Sequence, residues 1–452
     1  MEHIPPPPPM WPPHPPATPP ASGGKKTLLI VGVLGAAALL LLAVAGGAAV
    51  YLWDRGPSGT PLTDVTAFAM GDRTVCAIAD ETAYCWGDNE DGQIGDGTTK
   101  NRDVATHVIG ISSVTNISAG GSTTCAISDR SLYCWGANNA GQVGDGTTED
   151  RTRPTRVVGL NDVTAVTTGY GMTCAIASGD LYCWGQNVHG QLGDGTQDAR
   201  NTPSRVQNVS DVSDVSIGDG HVCALANRLA YCWGENAAGQ VGNGQRRGQS
   251  TPVQVKGITD VTTIAAARSQ TCALSRGSAY CWGLANVTTT EIAPSPRPVA
   301  GVTGVSSLTA NGAAACTIAD GDLYCWGDNL NQTLGVGSSD EFVTAPTKVV
   351  GLRNVSSLST TDHTSCAIAD GAPYCWGSNW EGQVGDGTSG VTKTPTRVKD
   401  LSTVSVLATS GKNSCAISAG GIYCWGDNTS RQVGNGTSSK RQATPGQVVK
   451  RQ

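Results

Sequence analysis

The hydrophobic pattern divides the chain into two unlike parts. From Thr27 to Trp53 the residues are uncharged and rich in Leu, Ala, Val and Gly, and a helix of that length at about 1.5 Å per residue exceeds the roughly 30 Å hydrocarbon core of a bilayer. From Val65 onward the apolar residues come in short alternating runs separated by Gly, Asp, Asn and Thr, the signature of brief strands and tight turns. A Tyr-Cys-Trp-Gly string begins at Tyr84, Tyr133, Tyr182, Tyr231, Tyr280, Tyr324, Tyr374 and Tyr423, with steps of 49 residues apart from one of 44 and one of 50. Such a period identifies a repeat architecture. Each unit predicts a strand such as Val114 to Ala119, a loop, a strand such as Cys125 to Ser128, a turn, a strand such as Leu132 to Trp135, the loop Gly-x-Asn-x-x-Gly-Gln-x-Gly, and a short strand near Thr155 to Val158. Four strands per unit match a propeller blade, and a closed ring removes the free edges that invite aggregation. The expected fold is therefore all-β, a closed propeller of eight four-stranded blades, with seven as the alternative, over residues 65–450, following one transmembrane helix. The Val65 to Ala69 and Gln447 to Val449 strands are expected to share a blade and latch the ring.

All sixteen cysteines belong to the repeat, in pairs with eight residues between the members: Cys76 and Cys85, Cys125 and Cys134, Cys174 and Cys183, Cys223 and Cys232, Cys272 and Cys281, Cys316 and Cys325, Cys366 and Cys375, Cys415 and Cys424. Turn dipeptides such as Asp370-Gly371 and Asp320-Gly321 stand at the centre of the interval and predict two-residue hairpins. Counting outward from Asp370-Gly371, residues 369 and 372 close the turn and Cys366 faces Cys375 at a non-hydrogen-bonded position, close enough to bond. Structural zinc would require paired Cys-x-x-Cys ligands, which this spacing lacks. Eight intrablade disulfides follow, and with them an oxidising compartment. The same alternation sets Tyr84 and Trp86 on the other face, with small Ala77 opposite Tyr84; these aromatics are assigned to blade-to-blade packing.

The segment before the repeats supplies the membrane reading. Eleven of the first twenty residues are proline, so residues 1–26 form a disordered tail with no core. Lys25 and Lys26 precede the apolar run, while Asp54 and Arg55 cancel after it, which places the tail in the cytoplasm and the propeller outside. Ala43, Ala45 and Ala49 suit a cleavable signal peptide, but the long leader and long apolar run favour an uncleaved single-pass anchor at 27–53 in the cell membrane, with 54–64 as linker. A formal net charge of -6 offers no broad basic surface, which argues against nucleic-acid binding.

With Tyr-Cys-Trp-Gly-x-Asn-x-x-Gly-Gln-x-Gly-Asp-Gly-Thr in view at Tyr133 to Thr147, the chain resembles the regulator of chromosome condensation repeat family over roughly residues 65 to 450. The resemblance implies a propeller, most often of seven blades, in a family that includes a nuclear nucleotide-exchange factor and secreted bacterial inhibitors of β-lactamases. Eight units, paired cysteines and an anchor set this chain apart and make nuclear exchange activity an unsuitable expectation. Unit five departs from the pattern, with Leu284 to Ile292 in place of Gly-Gln-x-Gly, so an imperfect blade is expected there.

Two loops of each unit must emerge at the same end of the blade, opposite the hairpins, and sequence variation concentrates in them. Tyr170, Met172, His221, Phe342, His363 and Trp380 form the candidate binding face, with loop charges Arg102, Arg151, Arg200, Arg246, Arg247, Asp340 and Glu341. Trp380 stands where other units have Glu90, Asn139, Val188 or Ala237, and an exposed Trp makes an interface anchor. His107, His189, His221 and His363 share no ligand spacing, Asp88 to Asp91 lacks the terminal glutamate of a calcium loop, and Gly144 to Thr147 opens no helix for phosphate. Seven Asn-x-Ser/Thr sequons, Asn116 and Asn435 among them, are potential glycosylation points for a host that modifies exported proteins. No catalytic residue, metal or cofactor is assigned. The expected function is a binding platform for a protein or an envelope polymer; an envelope hydrolase or lyase at the propeller mouth is the alternative.

Overall fold

Alternation and turn chemistry build every blade in the same way. The computed structural model describes residues 59–451 apart from 170 and 287–290. Blade two runs Val114–Gly120, Thr123–Ser128, Ser131–Gly136 and Arg151–Arg156, all antiparallel neighbours in chain order. Among the described residues the chain forms eight such sheets. At the hairpins both turn residues take positive φ, as at Asp370 (49°) and Gly371 (75°), the twist that suits a two-residue connection. Ala369 then pairs with Ala372, and Cys366 with Cys375, as counted from the sequence. All eight pairs are disulfides with Cα separations of 4.0 to 4.1 Å, in keeping with close cross-strand neighbours.

The blades are joined by the Trp of one and the Gly-Gln-x-Gly loop of the one before. Trp184 Nε1–H donates to the Gln142 carbonyl at 2.9 Å, and Trp135, Trp233, Trp282 and Trp425 repeat the bond to Gln93, Gln191, Gln240 and Gln383. A Cβ on Gly144 (φ +79°) would lie 2.5 Å from the Trp184 Nε1, so this approach requires glycine. The loop holds its shape through buried Asn138, whose Nδ2 donates to the Glu149 carbonyl at 2.9 Å and whose Oδ1 accepts from Val143 N at 2.8 Å. Satisfying a buried amide on both sides explains why that loop carries Asn in unit after unit. The tryptophans are buried as expected, whereas tyrosines such as Tyr84 and Tyr133 are only half-buried.

Inner strands face one another around the axis. Hydroxyls link them across blades: Ser118 Oγ accepts from Thr168 N at 3.1 Å and Ser359 Oγ from Thr409 N at 3.1 Å. The ring closes at blade one, which gains two strands beyond its outer strand Arg102–His107: Val449–Lys450, then Thr60–Pro61. Leu62 is fully buried in that closing core, so Thr60 to Leu62, within the span 54–64 read as linker, belong to the fold among the described residues. The outer strand of blade eight, Arg441–Gln447, stays in its own blade; only Val449–Lys450 crosses. Trp86 donates to the Gln432 carbonyl at 3.0 Å and completes the circle. The tail at 1–26 and the apolar segment at 27–53 lie outside the described residues, and among those described no helix is long and apolar enough to cross a membrane.

Blade five is a complete sheet of Val261–Ala266, Gln270–Ser275, Ser278–Asn286 and Glu291–Pro298. Its departure is that the third and fourth strands extend into a hairpin where other blades have the Gly-Gln-x-Gly loop. The seam that this loop would have covered is altered. Trp326 of blade six is 8% exposed, against 0 to 1% for the other seven repeat tryptophans. The core there splits in two, one group with Leu308 and Trp326 and another with Val302 and Val305.

Candidate functional site

The pairing of Thr364 with Gly377 puts the loop before the second strand and the loop after the third at one end of the blade. The His363 carbonyl accepts from Ser378 N at 2.7 Å, so the two loops of blade seven touch. Trp380 follows in the outer loop and is 65% exposed, the highest value among the large exposed hydrophobic residues. Its indole is mostly in solvent, and its carbonyl oxygen accepts from Arg441 Nη1 of blade eight at 3.3 Å. His363 is exposed, and Phe342, paired with Asp328 at the start of its strand, is half-buried.

Leu330 holds the Trp380 position in blade six and is 60% exposed; Val391, opposite Ser378 in blade seven, is 45% exposed. Sequence reasoning passed over both, although Leu330 breaks the repeat at the same position that drew attention to Trp380. Blade six lies against blade seven through this rim: Asn331 Nδ2 donates to the Asp362 carbonyl at 2.7 Å, and Lys393 Nζ to Ser339 Oγ at 2.7 Å. The exposed apolar side chains of these two adjoining blades thus stand on the same loop face.

Two candidate residues are not on the face. Met172 and His221 begin the second strands of blades three and four, are 3% and 0% exposed, and fill the contact with the next blade. His221 Nε2 lies 2.8 Å from Thr271 Oγ1, whose single hydroxyl proton goes to the Gln240 carbonyl at 2.8 Å. Nε2 therefore carries the hydrogen and donates, which leaves Nδ1 as a buried acceptor with no partner. Burial lowers the pKa of this ring to about 4, so it stays neutral. Variation at this position reflects different ways of filling a buried seam. Tyr170 lies outside the described residues.

The recurrent loop arginines are also internal. Arg102, Arg151 and Arg200 each bind an aspartate of their own blade, with Nε–Oδ2 distances of 2.6, 2.5 and 2.8 Å to Asp96, Asp145 and Asp194. Burial pushes the pKa of these carboxyls up, but threonine hydroxyls and the guanidinium outweigh it and hold all three below the usual carboxylate range. Arg246 donates to the Ala237 carbonyl at 2.9 Å. Near the axial mouth, Arg268 pairs with Asp219 at 3.4 Å and Asp362 at 3.1 Å. The inner strands hold one carboxylate, Asp214, whose pKa burial raises to about 6. Among the described residues no group of three His, Cys, Asp or Glu side chains is arranged to hold a metal.

The model of the regulator of chromosome condensation (RCC1) repeat matches residues 80–127, 129–176, 178–225, 229–274, 320–368 and 370–417. The stretch between the fourth and fifth windows contains the altered loop of blade five. Among curated proteins no sequence match was found. Yeast RCC1 (Prp20), solved bound to Kap60, is 21% identical with a TM-score of 0.57, over 70% of this chain and 83% of that one. Human WBSCR16 is 21% identical with a TM-score of 0.58, over 72% and 96%. A second structure, of Prp20p from Saccharomyces cerevisiae, is 20% identical with a TM-score of 0.57, over 70% and 85%.

Proposed function

The chain belongs to the regulator of chromosome condensation repeat family, and from that premise we propose that it is a membrane-tethered propeller that works outside the cytoplasm as a binding platform for a protein or an envelope polymer. The observation that carries the reading is the exposed apolar stretch of Leu330, Trp380 and Val391 on the loop face of blades six and seven. Solvent-facing Trp in a protein whose other repeat tryptophans are buried is costly without a partner and useful with one. Among proteins of this fold, yeast Prp20 has been solved bound to Kap60 and is described by its binding to Gsp1p and histones, a precedent for a propeller as a protein platform. Eight disulfides support an oxidising compartment. The apolar run at 27–53 behind Lys25 and Lys26 supports the tether and its direction.

The second reading, a hydrolase or lyase at the propeller mouth, has less support. It calls for convergent acids or histidines of shifted acidity, whereas Asp214 stands without a second carboxylate on the inner strands and His221 is committed to Thr271. The test is cross-linking capture in intact cells with the full chain and with Trp380→Ala, alongside an impermeant label directed at the carboxyl terminus. Loss of the cross-linked species in the variant, with the terminus labelled from outside, is the expected result. A terminus reached only after lysis would overturn the tethered, exported reading.

A further inference from the structure

Blades one to three contain a two-part cradle for an arginine. In the Gly-Asp-Gly-Thr segment of blade one, Thr98 Oγ1–H donates to Asp96 Oδ1 at 2.7 Å, and Arg102 lies across both, with Nε 2.6 Å from Asp96 Oδ2 and Nη2 3.1 Å from Thr98 Oγ1. Blades two and three repeat the arrangement with Asp145, Thr147 and Arg151, and with Asp194, Thr196 and Arg200. In each case the arginine is opposite the Gly of Tyr-Cys-Trp-Gly: Gly87, Gly136 and Gly185.

Elsewhere acid and arginine disappear together. Blade four has Asn243 where the acid stood and Gln249 opposite Gly234. Blade six has Val336 and Val343, and blade eight has Asn435 and Gln442. Blade seven alone breaks the rule. It keeps Gly385-Asp386-Gly387-Thr388, with Thr388 Oγ1 again 2.7 Å from Asp386 Oδ1, but Thr392 faces Gly377. Asp386 is half-buried and forms no ion pair among the described residues. Arg397 and Lys399 of the same blade line the surface beside Asp386 without pairing with it, and Arg441 of the neighbouring blade donates to the Trp380 carbonyl.

The empty cradle adjoins the exposed apolar residues. Asn379, directly before Trp380, reaches Asp386 Oδ1 with its Nδ2 at 3.4 Å, and Val391 directly precedes the position where the arginine is missing. The outer loops of blades six and seven carry Asp328, Asp340, Glu341, Glu381 and Asp386 with no lysine or arginine from 328 to 342 or from 378 to 391, and the two cations that reach these loops from outside, Lys393 and Arg441, donate to the Ser339 hydroxyl and the Trp380 carbonyl, not to the carboxylates. The geometry points to an arginine of a partner protein seated on Asp386 and Thr388, with an apolar side chain next to that arginine packed on Trp380. This rests on the binding-platform reading and specifies its partner: a basic and apolar protein segment. Charge complementarity selects the cation, and the fork of donors that already fits this cradle three times in the same chain selects arginine over lysine.

The test uses the full chain in nanodiscs and two labelled peptides, acetyl-Gly-Leu-Arg-Leu-Gly-amide and the same peptide with citrulline, followed by fluorescence anisotropy. Citrulline keeps the shape and loses the charge. The arginine peptide is expected to bind about tenfold tighter or more, a difference set by the charge-assisted bonds. Asp386→Asn should erase that preference. So should Thr392→Arg, which refills the cradle from within as in blades one to three and is therefore expected to fold at least as well as the parent. Equal affinity for the two peptides, absence of binding by both, or a preference that survives Thr392→Arg would overturn the proposal. If Trp380→Ala abolishes partner capture in cells while the peptides bind equally, the platform stands and the arginine seat falls.

Discussion

Blades one to three and blades five to seven have the same strands and the same disulfides, yet they spend their outer loops differently. In the first sector each loop is closed on itself: an Asp–Arg pair fastens it, Asn and Gln amides hold its backbone, and its glycine lets the next Trp in. In the second, blade five lacks the covering loop, blade six exposes Leu330, and blade seven exposes Trp380 and leaves Asp386 without its arginine. The ring needs most of its seams sealed to stay closed, and the proposed recognition surface lies where sealing groups have been exchanged for exposed ones. Repetition makes such a local breach of the rule visible.

The largest contrast should appear on truncating the seam tryptophans. Trp184→Ala removes a fully buried indole and its bond to Gln142, and is expected to cost about 3 to 5 kcal/mol in denaturant unfolding. Trp326→Ala, at the partly open seam between blades five and six, should cost about 2 kcal/mol. Equal losses would mean that blade five's hairpin seals as well as the loop it replaced.

Blade four stands at the border, and pH should resolve two opposing groups in it. His221 has a folded pKa of about 4 against 6.5 for the free ring, so the unfolded chain takes up the proton first; its contribution to stability is full above pH 6.5 and erodes as pH falls toward 4. Asp214 has a folded pKa of about 6 against 3.8, so it erodes stability as pH rises from 3.8 to 6. Each amounts to up to about 3 kcal/mol, with opposite sign, and the parent should be nearly flat between pH 4 and 6. Asp214→Asn should then gain stability with rising pH over that window, and His221→Gln should lose it. Denaturation midpoints measured across the range check both slopes.

A smaller effect separates the cradles. Asp145→Asn breaks a partly buried pair with Arg151 and should cost about 1 kcal/mol, whereas Asp386→Asn should be nearly neutral. A substantial loss at Asp386, read from thermal unfolding, would mean that its carboxylate already has a cationic partner within the chain, beyond its bonds to Thr388 and Asn379.

Much of the fold was legible because strand register follows from a two-residue turn: Asp370-Gly371 alone determined that Cys366 meets Cys375. The closure was read less well, since Thr60-Pro61-Leu62 is too short to show a period and its strand exists only because Val449–Lys450 arrives from the other end of the chain. The candidate face divided along the same line. Trp380 and His363 are exposed as read, and Leu330 was accessible to the same comparison of repeat positions. Met172 and His221 misled because a position varies either when solvent permits it or when its buried neighbour changes too, and the neighbour of His221, Thr271, lies 50 residues away in another blade. Arg102, Arg151 and Arg200 misled because their aspartates sit six residues upstream in loops that looked like turns.

The proposed recognition surface occupies the irregular sector. Hydroxyl-radical footprinting of the full chain in its native membrane, with and without prior stripping of bound components by high salt, tests it directly. Leu330, Trp380 and Val391 should be protected before stripping and reactive afterward, while Val188, equally exposed on regular blade three, reacts alike in both. Protection of Val188 together with them, or no change at Trp380, would contradict the claim.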